Sequence, residues 1–166
     1  MAADTLINDF ELPFQLYDVL GVEHLTKHAK FAEHSRETFD AVLDTANKIA
    51  TQLFLPHNHV ADKNEPQFDG KKVSMIDDVK VAFDAFRESG FIAGRHSFDD
   101  GGMQLPETVM TAVAGYFMAA NPSTTAYPFL TTAAINVISH FASDEIKNAF
   151  MPRMLTGEFT GTMALT

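Results

Sequence analysis

Phe39, Val42, Leu43, Ala46, Ile49, Ala50, Leu53 and Phe54 recur three and four positions apart between Arg36 and Leu55, the clearest helical signal in the chain. Pro56 is expected to end that helix. Ile76, Val79, Phe83 and Phe86 form a second stripe, with Ser74 and Asp77 spaced as a capping box before it and Gly90 as its terminator. Val109, Ala112, Val113, Tyr116, Phe117 and Ala120 share a third face, opened by Pro106 and closed by Asn121-Pro122. The most apolar helix carries Phe129, Leu130, Ala133, Ala134, Val137, Ile138 and Phe141. Ser143 caps the next one, where Asp144 and Glu145 complement the positive end. On it, Ile146, Ala149, Phe150 and Met154 are expected to face inward.

The remaining segments are less periodic. Leu12, Leu16, Val19 and Leu20 suggest a short helix stopped by Gly21. Gly21–His34 reads as a polar linker and His57–Lys72 as a loop, while Asp99-Asp100-Gly101-Gly102 reads as a turn. Thr160–Thr166 is the only strand-like piece. The fold class that follows is all-α: an up-and-down helical bundle of five to six helices ending in a short β-strand stub. A lone strand has no partner and is not stable by itself. The end of the chain therefore reads as the threshold of a second domain, with an extension over residues 1–35, a helical domain over 36–158 and a domain start at 159–166.

Composition narrows the class. The chain has 166 residues, enough for one domain with a real core. Its 15 Phe and 8 Met, with no Trp, point to a thick apolar interior or to apolar faces meant for another surface. The absence of Cys excludes disulfide and thiol chemistry. A net charge of −10 makes nucleic acid and anionic membrane poor partners. No basic flank precedes an apolar block at the N-terminus, and no apolar run reaches membrane-spanning length. A soluble, cytoplasmic protein is the expectation.

Candidate chemistry is sparse. His24 and His28 stand four apart and His57 and His59 two apart, yet both pairs fall in polar linker or loop without a converging third ligand. They are expected to be surface histidines, and no metal site is expected. His140 fits a favourable charge or cap at a helix C-terminus. Asp62, Glu65, Asp69, Asp99 and Asp100 cluster in loops and read as solvated or capping acids. No phosphate loop or nucleophile elbow is present, so these residues hold no complete catalytic set.

An ordered set of motifs goes further. Phe86-Arg87-Glu88-Ser89-Gly90-Phe91 precedes the Gly101-Gly102 turn, and two helices at Pro106–Ala120 and Thr124–Phe141 follow. Ser143–Leu155 then leads into Gly157-Glu158 and a closing Ala164-Leu165-Thr166. From about residue 36 to 166 this order resembles the N-terminal part of the flavin-dependent acyl-CoA dehydrogenases. Phe10, Phe14, Leu16, Tyr17, Val19 and Leu20 resemble the opening of its longer bacterial branch, which includes 3-methylmercaptopropionyl-CoA and long-chain acyl-CoA dehydrogenases.

The resemblance implies an FAD cofactor, an acyl-CoA substrate oxidised to a trans-2-enoyl-CoA, an electron-transferring flavoprotein as electron acceptor, and a homo-oligomer when full length. It places the glutamate base in a C-terminal helical domain, so no catalytic residue is expected among these 166. Met163 and Leu165 match positions whose backbone borders the flavin, although many relatives have an aromatic residue at the position of Met163. Thr166 matches a threonine whose hydroxyl bonds near flavin N5 and O4. Ala126, Phe129, Leu130 and Ala133 match the helix that lines the acyl pocket. They read equally as plain bundle core, since pocket and core share a composition. Pro128 departs from the shorter relatives and is expected to displace the first turn of that helix. By itself such a chain is expected to be inactive. A free-standing α-helical interaction module without cofactor is the alternative.

Overall fold

A computed structural model describes residues 6–162 and 164 of the chain. Among them are five helices of three or more turns. They are α2 (Arg36–Ile49), α4 (Asp77–Glu88), α5 (Glu107–Ala120), α6 (Pro122–Phe141) and α7 (Asp144–Leu155). Two shorter helices, α1 (Glu11–Pro13) and α3 (Asn58–Lys63), complete the set. The all-α bundle expected from periodicity is therefore the observed architecture.

Side-chain chemistry sets the helix starts. Before α2, Ser35 Oγ accepts from the Thr38 amide at 3.3 Å and Thr38 Oγ1 accepts from the Ser35 amide at 2.8 Å, a reciprocal cap. Ser143 Oγ caps α7 in the expected way. Ser74 does not cap α4. It belongs to a strand, and Ile76 occupies the capping position without a side-chain bond.

Several segments are more ordered than their composition suggests. α2 continues as a π-helical turn over Ala50–Phe54, a 3-10 turn over Leu55–His57, and then α3, so the helical course runs on past Pro56 instead of ending there. α1 likewise continues as a π-helical stretch, Phe14–Val19, and Gly21 stops it at φ 60°. The expected linker after Gly21 holds 3-10 turns at Val22–Lys27 and Ala29–Phe31, with Val22 buried. The expected loop after His57 contains α3 and a hairpin of β1 (Gln67–Phe68) and β2 (Val73–Ser74), paired Gln67 with Ser74 and Phe68 with Val73. This ladder is the sheet of the described residues. Residues 160–162 and 164 form no strand, and the rest of the expected stub lies outside the described residues.

The core sits where α2, α4 and α5 meet the turn at Phe91–Ala93. Phe54, Phe86, Phe91 and Phe117 pack edge to face there, with ring centroids 4.8 Å apart for Phe54–Phe117 and for Phe86–Phe117. Such pairs add about 0.5–1.5 kcal/mol each beyond area burial. α7 contributes less than expected. Met154 is buried, but Ile146, Ala149 and Phe150 are exposed. Gly157 follows at φ 69°. A Cβ there would lie 2.7 Å from Ile92 and 2.9 Å from Arg87, so only glycine lets the turn close on the bundle.

Candidate functional site

The start of α6 is fixed by a buried polar knot. Asn121 is fully buried; its Oδ1 accepts from the Thr124 amide at 3.0 Å and its Nδ2 donates to the Phe54 carbonyl at 3.1 Å. His57 Nδ1 lies 2.7 Å from the Leu53 carbonyl, which can only accept, so that nitrogen carries the proton. His57 Nε2 then accepts from the Thr124 hydroxyl at 2.8 Å. His57 is 2 % exposed, so the surface position expected for it is corrected, whereas His24, His28 and His59 are exposed. His140 donates to the Asn136 carbonyl in the last turn of α6 at 2.8 Å, as a capping side chain does.

From this anchor α6 runs unbroken through Pro128. The proline is buried in the helix interior and does not displace the first turn, which begins at Pro122 under the Asn121 cap. Threonine hydroxyls reinforce the helix around it. Thr125 donates to the Asn121 carbonyl, Thr131 to that of Tyr127 and Thr132 to that of Pro128, at 2.7–3.0 Å. The inward face of α6 is thus Thr124, Thr125, Pro128, Thr131 and Ile135.

The four residues expected to line an acyl pocket are not on that inward face. Ala126 is exposed, and Phe129, Leu130 and Ala133 are half-buried. These four residues stand apart from the buried face of α6. Phe129 and Ala133 open into a cavity of about 450 Å³ between α5, α6 and the Phe91 turn, with Phe86, Phe91 and Met110 on its other walls. Leu130 opens into a second cavity, of about 400 Å³, between α4 and α6, with Met75, Val79 and Phe83. Ala126 lines neither of the two.

The second cavity is also lined by Thr160, Gly161 and Thr162. The Gly161 amide donates to Thr131 Oγ1 at 3.2 Å, and a Cβ on Gly161 would lie 2.6 Å from that of Ala134. The segment is pressed against α6 and leads toward Met163, Leu165 and Thr166, which lie outside the described residues. Before it, Arg153 pairs with Glu158 and lies 3.7 Å over the Phe159 ring. The Arg153 hydrogen bond holds the Glu158 carboxyl below its ordinary value.

Arg95 and Glu107 complete the rim of the first cavity, joined at 2.5 Å. Arg95 follows the Phe91 turn and Glu107 opens α5, so no periodicity within one element pairs them. Among the described residues, no three His, Asp or Glu side chains gather as a metal site, and no helix is long and apolar enough to cross a membrane.

Residues 36–158 match the family model described as acyl-CoA dehydrogenase, N-terminal domain. The chain belongs to this family. It is similar to 3-methylmercaptopropionyl-CoA dehydrogenase of Ruegeria pomeroyi, 26% identical over 89% of this chain and 26% of the relative. It is also similar to a butyryl-CoA dehydrogenase of Syntrophomonas wolfei, 30% identical over 78% of the chain and 22% of the relative. A broad-specificity linear acyl-CoA dehydrogenase of Mycobacterium tuberculosis is 27% identical over 81% of the chain and 22% of its own length. The chain thus spans about a quarter of the length of these curated relatives. The observed bundle agrees with the domain that the match names.

Proposed function

We propose that this chain is the N-terminal helical part of an FAD-dependent acyl-CoA dehydrogenase that converts a saturated acyl-CoA to its trans-2-enoyl-CoA. The observation that carries the reading is the outer face of α6. Phe129, Leu130 and Ala133 are half-buried beside two cavities instead of sealed in the core. An apolar face bordering open cavities suits the accommodation of an apolar chain. In this reading they form one wall for the acyl chain, and excluding water from that wall keeps the weakly acidic C–H in a dry site.

The residues present fit one edge of a flavin. Thr160, Gly161 and Thr162 lay a polar strip beside an apolar cavity, which suits a ring with an apolar face and a polar rim. Met163, Leu165 and Thr166 continue that strip in sequence, and the backbone of the first two with the Thr166 hydroxyl would hold the ring edge. FAD, when bound, would accept the hydride removed from the substrate, and with it both electrons. The proton-abstracting glutamate belongs, by the resemblance, to a part of the protein outside these residues. These 166 residues are proposed to be inactive by themselves, with an electron-transferring flavoprotein as the partner of the complete, homo-oligomeric, cytoplasmic enzyme.

The test is anaerobic addition of butyryl- to decanoyl-CoA to the full-length protein reconstituted with FAD. Bleaching of the flavin band with formation of the 2-enoyl product is expected. A protein that retains no flavin and oxidises none of these thioesters would be read instead as a cofactor-free helical interaction module.

A further inference from the structure

The segment that leaves α7 is pinned to the bundle at two points. The Phe159 amide donates to the Arg153 carbonyl of α7 at 2.9 Å, and the Gly161 amide donates to Thr131 Oγ1 of α6 at 3.2 Å. The second pin lies nearer in sequence to Met163, Leu165 and Thr166, and it is a side chain. Thr131 is fully buried, and its hydroxyl also donates to the Tyr127 carbonyl one turn back at 3.0 Å. A hydroxyl has one proton to give. Giving it to Tyr127 fixes the rotamer and leaves the oxygen as acceptor for the Gly161 amide.

Shape favours the same docking. Gly161 sits in a notch where a Cβ would lie 2.6 Å from Ala134 Cβ, 3.1 Å from Met154 Cε and 3.6 Å from Thr131 Cα. The contact with Ala134 is the tightest, and an alanine methyl has no rotamer through which to give way. A side chain at position 161 therefore lifts the segment off α6. Hydrogen bond and notch together select one position for the segment along the helix.

That position matters because of what shares the helix. Leu130, next to Thr131, opens into the same cavity that Thr160, Gly161 and Thr162 line. We infer that Thr131 is a positioning residue: through the Gly161 amide it sets where the flavin edge stands against the acyl chain lying along α6. The inference rests on the FAD-dependent acyl-CoA dehydrogenase reading given above. In that reading α6 carries the acyl wall and the mount of the flavin edge on consecutive residues. A misplacement of about 1 Å between reacting groups can cost about a hundredfold in rate, so the mount governs rate more than binding.

Full-length protein reconstituted with FAD carries the test. Thr131→Val keeps the side-chain shape and removes the acceptor. It is expected to slow anaerobic flavin reduction by acyl-CoA about tenfold or more and to shift the flavin absorption band, while the Kd for the enoyl-CoA product stays near wild type. Thr131→Ser, which keeps the hydroxyl, should restore both rate and band. Gly161→Ala should reproduce the defect, and adding Ala134→Gly, which removes the methyl it strikes, should relieve it. Rate and spectrum at wild-type values in Thr131→Val, a serine variant as slow as the valine one, or no relief from Ala134→Gly would overturn the inference.

Hydrogen exchange of a peptide covering Phe159–Thr162, in full-length protein without FAD, reads the mount without turnover. Thr131→Val should speed exchange there and leave α2 and α5 unchanged. That result in a protein that binds no flavin and oxidises no acyl-CoA would keep the mount and overturn the proposed activity. Unchanged exchange in the variant of an active enzyme would overturn the mount and keep the activity.

Discussion

Phe129 and His57 mark the two ways a single side chain escapes sequence reading. His57 sits between Pro56 and Asn58, a polar neighbourhood, and its burial follows from a partner 67 residues away that closes a hydrogen bond onto it. No local pattern carries that pairing. The face of Phe129 was legible as apolar, but periodicity reports which residues share a face, not whether another element covers it. Phe129→Ala in the full-length enzyme is expected to shift the chain-length optimum of kcat/KM toward longer acyl groups. Each added methylene that the enlarged wall buries recovers about 0.8 kcal/mol. The loss of stability should be about 1–2 kcal/mol, below the 3–5 kcal/mol of a fully buried phenylalanine, because the side chain is only half-buried. Urea denaturation beside the kinetic series checks both. An unmoved optimum with a full core-sized loss of stability would remove Phe129 from the acyl wall.

At the scale of elements, the long helices were legible because several turns of one stripe reinforce each other, whereas short elements borrow their stability from neighbours. The hairpin carried a readable signal in Asp69-Gly70: Gly70 takes φ 93°, and Asp69 Oδ1 accepts from the Lys71 and Lys72 amides at 2.8 Å. Its two-residue strands gave no alternation to set beside that turn. The π-helical continuation of α2 was hidden for a different reason. Ile49 with Ala50, and Leu53 with Phe54, satisfy both a three- and a four-residue step, so the stripe does not show the extra residue.

The N-terminal helical segment is held by a contact the sequence did not reveal. The Tyr17 hydroxyl donates to Asp40 on α2 at 2.5 Å, and Arg36 lies 4.0 Å over the Tyr17 ring. Burial, then the hydrogen bond to Asp40, push the Tyr17 phenol well above its ordinary value of 10.0. A raised folded value means that the native state binds this proton more tightly than the unfolded state. The stabilisation is therefore complete below pH 10 and is lost as pH rises above it. Alkaline absorbance titration should show a late tyrosine phase that Tyr17→Phe diminishes, the remainder belonging to Tyr116, whose phenol burial also raises, and limited proteolysis of the N-terminal segment should accelerate through the same range. A phenol titrating at its ordinary value would show that this contact does not anchor the segment.

For the molecule as a whole, the division of labour within the bundle decides what these residues do alone. The phenylalanine cluster and the knot at Asn121 build a core from the described residues themselves, so the chain is expected to fold as a mainly helical unit. The candidate flavin contacts differ in kind. Within the described residues they are one pressed segment, residues 160–162, on one side of one helix. A cofactor held along a single edge gains few of its contacts while still losing its translational and rotational freedom, which costs an estimated 4–15 kcal/mol. The 166-residue chain is therefore expected to retain no stoichiometric FAD through gel filtration, although its circular dichroism remains helical. The full-length protein should retain FAD, and there Thr166→Val should slow flavin reduction by the substrate, since a buried flavin acceptor left unpaired costs about 1–3 kcal/mol. Stoichiometric yellow flavin on the short chain would show that these residues hold far more of the site than an edge. Reduction at the wild-type rate in the variant would remove Thr166 from the flavin.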